Sequence, residues 1–341
     1  MLAKSIIQGR LEFGKASSFE KVIKMMNYKL ETFYKHELIL KVEEMIDAES
    51  FSIVVPRNIA NPDRKYWNNT IDLLEYLAQY AISGYVSAWL LREGKILEYF
   101  HVEPDNEKVV VQSYIKGKKL AEQKGKEKEA MEQLNRAISK FDKHALAYER
   151  RGYVNYALGN IDDAIHDFNR CIEFDPNYAK AFFSRGKIFI KKGKIDKAIA
   201  DFEAAIKNSI ALQEIQWYSR LLVAECYIKQ NNLKKAIFNL KLFTNRKFPK
   251  DSPLNAKKPK AFYDYAEVLI NNEQYDEALV AIEKAMNLGS RKVDISEEQL
   301  LIIRGKARHL IGAQGFTADW KKAADLGSKE AKKLLIEHGA K

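Results

Sequence analysis

The sequence predicts a mainly α-helical fold in which an array of repeated helix pairs follows a small α+β domain. The first observation is an amphipathic helix pair between Ala145 and Tyr178, with a tight turn at Gly159 and Asn160. The second is the return of this pattern 34 residues later, which is typical of a helical repeat. The third is that residues 1–105 lack this period and show helix and strand patterns in turn.

Aromatic, glycine and small residues recur at equal offsets in the two clearest copies. They are Tyr148, Gly152, Gly159, Ala164, Phe168 and Cys171 in the first copy, and Phe182, Gly186, Gly193, Ala198, Phe202 and Ala205 in the second. This set resembles the tetratricopeptide (TPR) family. The resemblance implies a right-handed α-solenoid whose first helices line a concave surface, where a peptide or a partner helix binds.

Extending the same spacing along the chain predicts about six helix pairs between residues 111 and 338. Lys118 stands where the first repeat should have a small residue, residues 213–216 are expected to be an insertion, and Ser296 with Gln299 predicts a capping box. The last repeat is also similar to the Sel1-like relatives. The predicted repeats are 111–144, 145–178, 179–212, 217–250, 259–290 and 297–328, and a capping helix follows.

The first 105 residues are expected to form the small α+β domain, whose role does not follow from the sequence. A stripe of apolar residues at helical spacing, which runs from Phe19 to Phe33, predicts a helix from Ser18 to Tyr34, which Glu37–Asp47 extends or restarts. The remaining predicted elements are an edge strand at Phe51–Pro56, a helix at Tyr66–Ile82, and a hairpin of strands 85–91 and 96–102 around the loop 92–95.

The composition is that of a soluble folded protein, with 46% hydrophobic and 30% charged residues. No window approaches 18 uncharged apolar residues, and the first apolar run is too short for a signal segment. These patterns predict a cytoplasmic protein without a membrane partner. Cys171 and Cys226 fall on apolar helix faces, so we expect buried thiols rather than a disulfide or a metal site.

The net charge of +11 comes from the repeats, because residues 1–105 hold only 13 of the 57 basic residues and 15 of the 46 acidic residues. The TPR resemblance places basic residues and tyrosines on the concave surface. These chemistries suit an acidic peptide, although long basic side chains can also serve solubility alone. The candidate groove residues are Lys116, Lys119, Arg150, Tyr153, Tyr156, Lys180, Lys187, Lys191, Tyr218 and Lys229.

Chaperone-binding TPR domains resemble one another in a clamp of lysine, asparagine and arginine residues that binds a terminal carboxylate. The corresponding positions of this chain hold Ile115, Lys119, Arg150, Lys180 and Ser184. Only Lys180 matches the clamp. Binding of a chaperone tail is therefore not expected, while recognition of some other acidic segment stays open.

A second basic feature offers an alternative function. Between Lys229 and Lys260 the chain has ten basic residues and one acidic residue, Asp251. Such a density is typical of contact with RNA or a ribosome, but it also fits a solvated face with a loop. No nucleic-acid-binding motif accompanies it. The candidate polyanion patch consists of Lys234, Lys235, Lys241, Arg246, Lys247, Lys250, Lys257, Lys258 and Lys260.

No nucleotide-binding, metalloprotease or redox motif is present, and the six histidines lack partners at ligand spacing. We therefore predict no catalytic residue, cofactor or metal. A third hypothesis, a catalytic N-terminal domain whose partner the repeats recruit, stays open because spatial proximity is invisible in sequence. The favoured hypothesis is a non-enzymatic adaptor that binds another protein. Its oligomeric state does not follow from the sequence.

Overall fold

The computed structural model of the protein describes residues 3–288 and 295–338. These residues form two compact bodies, which we describe separately. The first body runs to Pro176 and the second begins at Asn177. The predicted domain boundary at residue 105 lies inside the first body and stays a prediction.

The first body contains a five-stranded antiparallel sheet with the strand order β2-β3-β1-β4-β5. Strand β1 is central and pairs with both β3 and β4. Helix α1 follows β1, and helix α2 connects β3 to β4. The elements are β1 (Lys4–Glu12), α1 (Ala16–Lys29), β2 (Ile46–Asp47), β3 (Ser52–Ala60), α2 (Arg64–Ala78), β4 (Ser83–Arg92) and β5 (Lys95–Val102).

One face of this sheet packs against α1 and α2 to form an apolar core. The alternation of a strand places Ile7 and Leu11 of β1 on this face, and both are fully buried. Trp67 and Leu74 of α2 and Met26 of α1 belong to the same core. Burial of each such side chain contributes about 1.5–3 kcal/mol relative to exposure, so this layer is sufficient to hold the helices on the sheet.

The structure confirms the predicted hairpin and the second helix of this region. Helix α2 begins after Asp63, whose side chain accepts a hydrogen bond from the Tyr66 backbone N–H. The hairpin turn uses Glu93 and Gly94, both with a positive φ. The predicted strand 51–56 is the start of β3. It pairs with the two-residue β2 only near Ser52, so beyond that point it has a free edge that tolerates Pro56.

The structure of this region differs from the prediction in two respects. Strand β1 was not predicted, although it is the central strand of the sheet. The segment Glu37–Asp47 is not helical throughout, because it contains only a short 3₁₀ turn at Val42–Met45 before β2. The helix that begins at Ala16 does not continue into this segment. Its last turn, the π-helical turn at Leu30–Tyr34, is followed by Lys35 and His36, whose backbones are both in the left-handed region.

The π-helical turn also changes which aromatic residue is buried. The apolar stripe predicted that Phe33 faces the core, but Phe33 is 63% exposed and Tyr34 is buried instead. A π-helical turn contains one more residue than an α-helical turn. The extra residue moves the inward position from Phe33 to Tyr34, which keeps Leu30 and Tyr34 on one side.

The remaining elements are helix pairs, as predicted. In the first body they are α3 (Val109–Ala121), α4 (Glu127–Lys140), α5 (Ala145–Ala157) and α6 (Ile161–Phe174). The second body contains α7 (Ala179–Lys191), α8 (Ile195–Asn208), α9 (Glu214–Lys229), α10 (Leu233–Asn245), α11 (Lys258–Asn271), α12 (Tyr275–Leu288), α13 (Glu297–Leu310), α14 (Phe316–Asp325) and α15 (Lys329–Glu337). The end of the predicted fifth repeat, residues 289 and 290, lies outside the described residues.

Two details of the repeat boundaries differ from the prediction. Residues 214–216 belong to α9, so the predicted insertion is absorbed mainly by a longer first helix. In the first repeat the small residue is Gly117 and not Lys118. A Cβ atom on Gly117 would lie 2.8 Å from Leu134 Cγ, which shows that α3 and α4 approach at this glycine. The capping box of Ser296 and Gln299 is confirmed.

The glycine of each clear repeat permits close packing of its two helices. A Cβ atom on Gly152 would lie 3.0 Å from Phe168 Cε1, and one on Gly186 would lie 3.0 Å from Phe202 Cε1. The facing aromatic rings are fully buried. These contacts explain why glycine and an aromatic residue recur together in the sequence.

Within the first body, polar contacts join the sheet to the helix pairs. His144 caps α5, since its Nδ1 accepts a hydrogen bond from the Ala147 backbone N–H at 3.2 Å. The same Nδ1 lies 3.0 Å from Ser83 Oγ on β4. Lys118 of α3 forms an ion pair with Glu103 at 2.7 Å, just after β5. The position of the first repeat is thus fixed by the sheet.

Candidate peptide-binding face of the helical repeats

Within each body, first helices of neighbouring repeats contact one another. Helix α3 contacts α5 in the first body, and in the second body α7 contacts α9 and α11 contacts α13. The second helices pack against the first helices of their own repeat and of the next one, as α4 does against α5. We call the surface formed by the first helices the binding face.

The candidate groove residues of the first body lie on α3 and α5. Lys116 and Lys119 are exposed, Tyr153 is 49% exposed, and Tyr156 is half-buried. Arg150 is also half-buried and lies 3.4 Å from the carboxylate of Glu149. The exposed lysines and Tyr153 are available to a partner, whereas Arg150 is held beside an acidic neighbour.

Glu149 was not predicted to belong to the binding face. It is buried on α5, and it contributes to raising the pKa of two neighbouring groups. Burial is the largest cause for both, and the charge of Glu149 adds to the rise in the pKa of Tyr114 and of the Cys171 thiol. The face of the first body is therefore mixed in charge near Arg150 rather than uniformly basic.

In the second body, α7 presents a basic side. Lys180, Lys187 and Lys191 are all exposed, and their spacing of seven and then four residues places them on one side of the helix. Helix α7 contains no acidic residue. The ammonium of Lys187 lies 5.6 Å from the centre of the Phe183 ring. This helix therefore combines positive charge with an aromatic surface.

Helices α9 and α11, the first helices of the two repeats that follow α7 and α8, carry acidic as well as basic residues. On α9, Tyr218 is half-buried and Lys229 is exposed, but the same helix carries Glu225. On α11, Asp264 accepts a hydrogen bond from Lys260, and Glu267 lies one turn further along. None of these three carboxylates was among the candidate groove residues, which were all basic residues and tyrosines.

The three carboxylates have a pKa above the ordinary value. Partial removal of water is the largest cause for each of them. The negative charge of Asp264 further raises the pKa of Glu225 and Glu267, while nearby lysines, including Lys260, oppose the rise. This part of the binding face therefore holds clustered carboxylates among lysines, and it is not uniformly basic.

The candidate polyanion patch is distributed over α10, the following loop and the start of α11. Five of its nine residues contact the protein itself. Lys241 pairs with Glu277 at 2.9 Å, Arg246 lies over the Trp217 ring at 5.4 Å, and Lys258 donates to the Thr244 backbone carbonyl at 3.3 Å. The other two are Lys235, which donates to Tyr227 Oη, and Lys260, which donates to Asp264. The four remaining residues, Lys234, Lys247, Lys250 and Lys257, are exposed.

A buried ion pair recurs inside three helix pairs and was missed in the sequence. Arg151 donates two hydrogen bonds to Asp167, at 2.9 and 2.6 Å, and Arg185 binds Asp201 at the same two distances. Arg304 forms a similar pair with Asp319. The signal was available, since both residues of the first pair recur 34 residues later. The pair joins the two helices of a repeat and is not part of the binding face.

A serine, a histidine and a glutamate meet beside the hairpin. His101 Nδ1 lies 2.9 Å from Ser87 Oγ, and its Nε2 lies 3.2 Å from Glu103. Burial alone would raise the pKa of Glu103, but hydrogen bonds from His101 and Lys118 lower it to about 2. Because Ser87 is buried, its hydroxyl is not presented to a substrate. We interpret this set as a link between β4, β5 and α3.

Cys171 and Cys226 are both buried and unpaired, in agreement with the expectation for thiols on apolar helix faces. Across residues 3–288 and 295–338, no three histidine, cysteine, aspartate or glutamate side chains are grouped as a metal site would require. In the same part of the chain, no helix is long and apolar enough to cross a membrane.

Consecutive helix pairs with a shared glycine contact define a helical-repeat protein of the α-solenoid class. The repeat models identify the type: residues 145–178 and 179–209 each match a tetratricopeptide repeat. The chain therefore contains TPR repeats, as the residue pattern predicted. No curated protein sequence matches this chain.

Three solved structures are similar to parts of this chain. YrrB, described as a TPR protein with an unusual peptide-binding site, is 17% identical, covers 61% of this chain and 99% of its own, and has a TM-score of 0.51. The C-terminal part of a TPR protein from Cytophaga hutchinsonii is 20% identical, covers 66% and 84%, and has a TM-score of 0.48. PilF from Pseudomonas aeruginosa is 14% identical, covers 67% and 100%, and has a TM-score of 0.49. At 17% identity, the similarity to YrrB shows the fold alone.

Proposed function

We propose that the chain is a non-enzymatic scaffold that binds a segment of another protein on the face formed by its first helices. The TPR repeats at 145–209 support this class of function, and the peptide-binding site named for YrrB agrees with it. The contacting first helices within each body offer room for an extended peptide or a helix.

The partner segment that contacts α7 is acidic in this proposal. The observation that carries it is the set of exposed lysines on one side of α7, a helix without any acidic residue. Charge-assisted hydrogen bonds from Lys180 and Lys187 would orient a carboxylate, and Phe183 would supply apolar contact area. The carboxylates of α9 and α11 extend the proposal: a partner that continues along those helices has basic residues there.

A cytoplasmic location belongs to the same proposal. The unpaired thiols of Cys171 and Cys226 are what a reducing compartment favours.

The test compares two pairs of charge reversals in the full chain. One variant changes Lys180 and Lys187 to glutamate on α7. The matched control changes Lys247 and Lys250, which are exposed in the loop of the candidate polyanion patch. The partner is first identified by affinity purification of the wild-type chain from its native cell, and its affinity for each purified variant is then measured by calorimetry.

The α7 variant is expected to lose at least about tenfold in affinity, which corresponds to roughly 1.4 kcal/mol, while the control keeps wild-type affinity. Loss only in the control would contradict the proposal. Together with salt-dependent binding to heparin or RNA, that result would favour the polyanion function. If the α7 variant and the control both kept wild-type affinity, α7 would not be the binding site.

A further inference from the structure

A pocket lies in the first body, outside the helical repeats. Its volume is about 310 Å³, at the lower end of the range for ligand pockets. A volume of this size suits one large side chain rather than an extended cofactor. Helix α1, the π-helical turn and helix α2 supply its lining residues, which are Lys24, Met25, Tyr28, Lys29, Phe33 and Tyr76.

Two aromatic side chains at this pocket are exposed to an unusual degree. Tyr28 is 62% exposed and Phe33 is 63% exposed, and their ring centres lie 6.1 Å apart at an angle of 74°. The core gains nothing from either ring, because Leu30 and Tyr34 occupy the inward positions. The π-helical turn places Phe33 outside, and such turns are frequent at functional sites.

The charge at the pocket is positive. The ammonium of Lys29 lies 4.0 Å from the centre of the Tyr76 ring and 5.4 Å from that of Phe33, so the rings hold it beside the opening. Lys24 is a second, exposed lysine, and none of the lining residues is acidic. An apolar wall therefore stands next to two positive charges.

We propose that this pocket binds a short segment of another protein in which a large apolar side chain stands next to a carboxylate. The apolar side chain packs against the exposed faces of Tyr28 and Phe33, and the carboxylate pairs with Lys29 and Lys24. Single-stranded nucleic acid fits less well. The two rings meet edge to face rather than as parallel platforms for successive bases, and two lysines do not form a track for phosphates.

This pocket shares no residue with the binding face of the repeats, and the proposal for the pocket does not depend on the function proposed for the binding face. The experiment selects a display library of short random peptides on the full chain. The enriched peptides are then measured by fluorescence anisotropy against wild type and against a Tyr28→Ser, Phe33→Ser double variant. Tyr153→Ser is the matched control, because Tyr153 is an exposed aromatic residue on the binding face.

The enriched peptides are expected to share a large apolar residue beside an acidic one. Their affinity should fall at least about tenfold in the double variant, several-fold in Lys29→Gln, and not in Tyr153→Ser. Since Tyr28 and Phe33 are exposed, the variants should keep the wild-type circular dichroism spectrum.

Five outcomes would overturn the proposal. Unchanged affinity in the double variant, or loss only in Tyr153→Ser, would place the peptides elsewhere. The absence of any enriched class, or enrichment without acidic residues, would remove the stated ligand. If a labelled single-stranded oligonucleotide bound the wild type and was released by the double substitution, the pocket would be a nucleic-acid site instead.

Discussion

The two bodies of this protein use the same helix-pair interior but differ in what surrounds it. Arg151 pairs with Asp167 in the first body, and Arg185 pairs with Asp201 at the same repeat positions in the second body. The first body adds a sheet, joined to its helices through the buried His144. The second body has helices alone over its described residues. The repeat period therefore determines the interior of the helix pairs. The features in which the two bodies differ, such as the sheet of the first body, lie outside this interior.

The exposed chemistry of the first helices differs between neighbouring repeats as well. Helix α7 is basic without an acidic residue, whereas α11 carries Asp264 and Glu267. Neither residue set takes part in the glycine contact or in the recurring ion pair. A repeat motif thus fixes the packing of its helices and leaves their surface free to vary. The chemistry of a binding partner therefore follows from the surface residues and not from the motif.

The largest expected effect sharpens the comparison of interiors. A Cβ atom on Gly305 would lie 2.3 Å from Trp320 Nε1, and Trp320 is fully buried. Gly305→Ala should therefore cost about 3 kcal/mol of stability through overpacking. Gly186→Ala meets Phe202 at 3.0 Å, and its gain in helix propensity of about 1 kcal/mol offsets much of the strain.

Thermal unfolding followed by circular dichroism measures both substitutions. Gly305→Ala should lower the unfolding midpoint by several degrees more than Gly186→Ala. Equal midpoints would mean that the helix pair containing Trp320 relaxes as easily as the pair at Gly186, and the proposed ranking of the two contacts would be wrong.

The second prediction concerns the recurring ion pair. Asp201 is buried and the Arg185 side chain is only 18% exposed, so Asp201→Ala removes the carboxylate that binds a guanidinium with little contact to water. We expect a loss of about 2 kcal/mol. The double variant Arg185→Met, Asp201→Leu should recover much of it, because it removes both charges and keeps apolar volume. A double-mutant cycle by chemical denaturation checks this, and a double variant as unstable as Asp201→Ala would contradict it.

The helical array was predictable because its period constrains many positions together. An error at one position, such as the choice of Lys118 over Gly117, does not change the pairing of the helices. The ion pair of Arg151 and Asp167 was missed for a different reason. The glycine, small and aromatic positions defined the repeat, whereas the recurrence of these two polar residues at the same period was overlooked, although it shows that they are structural.

The sheet was less predictable because its signals are local. In β1 the alternation of Ile7 and Leu11 is interrupted by Gly9, where the pairing with β3 shifts register, so the strand pattern is short. The pocket at Tyr28 and Phe33 could not be predicted at all. It depends on a π-helical turn, and an apolar stripe read at the α-helical period places Phe33 in the core.

The third prediction separates the two bodies by pH. His144 is buried in the first body, and burial lowers its pKa from about 6.5 in the unfolded chain to about 3. The fold therefore binds only the neutral ring. The stability it supports is complete above pH 6.5 and is lost as the pH falls from 6.5 towards 3. At pH 5 this loss should reach about 1 to 2 kcal/mol.

His144→Asn provides the matched variant, because asparagine can still accept the Ala147 backbone N–H as a helix cap but does not titrate in this range. Between pH 7 and pH 5, the unfolding free energy of the wild type should therefore decrease more than that of the variant. Limited proteolysis at pH 5 should then cut the wild-type chain first near α5, in the first body, and leave the second body intact. If the difference is independent of pH, or if the second body is cut first, His144 is not the acid-sensitive contact between sheet and helices.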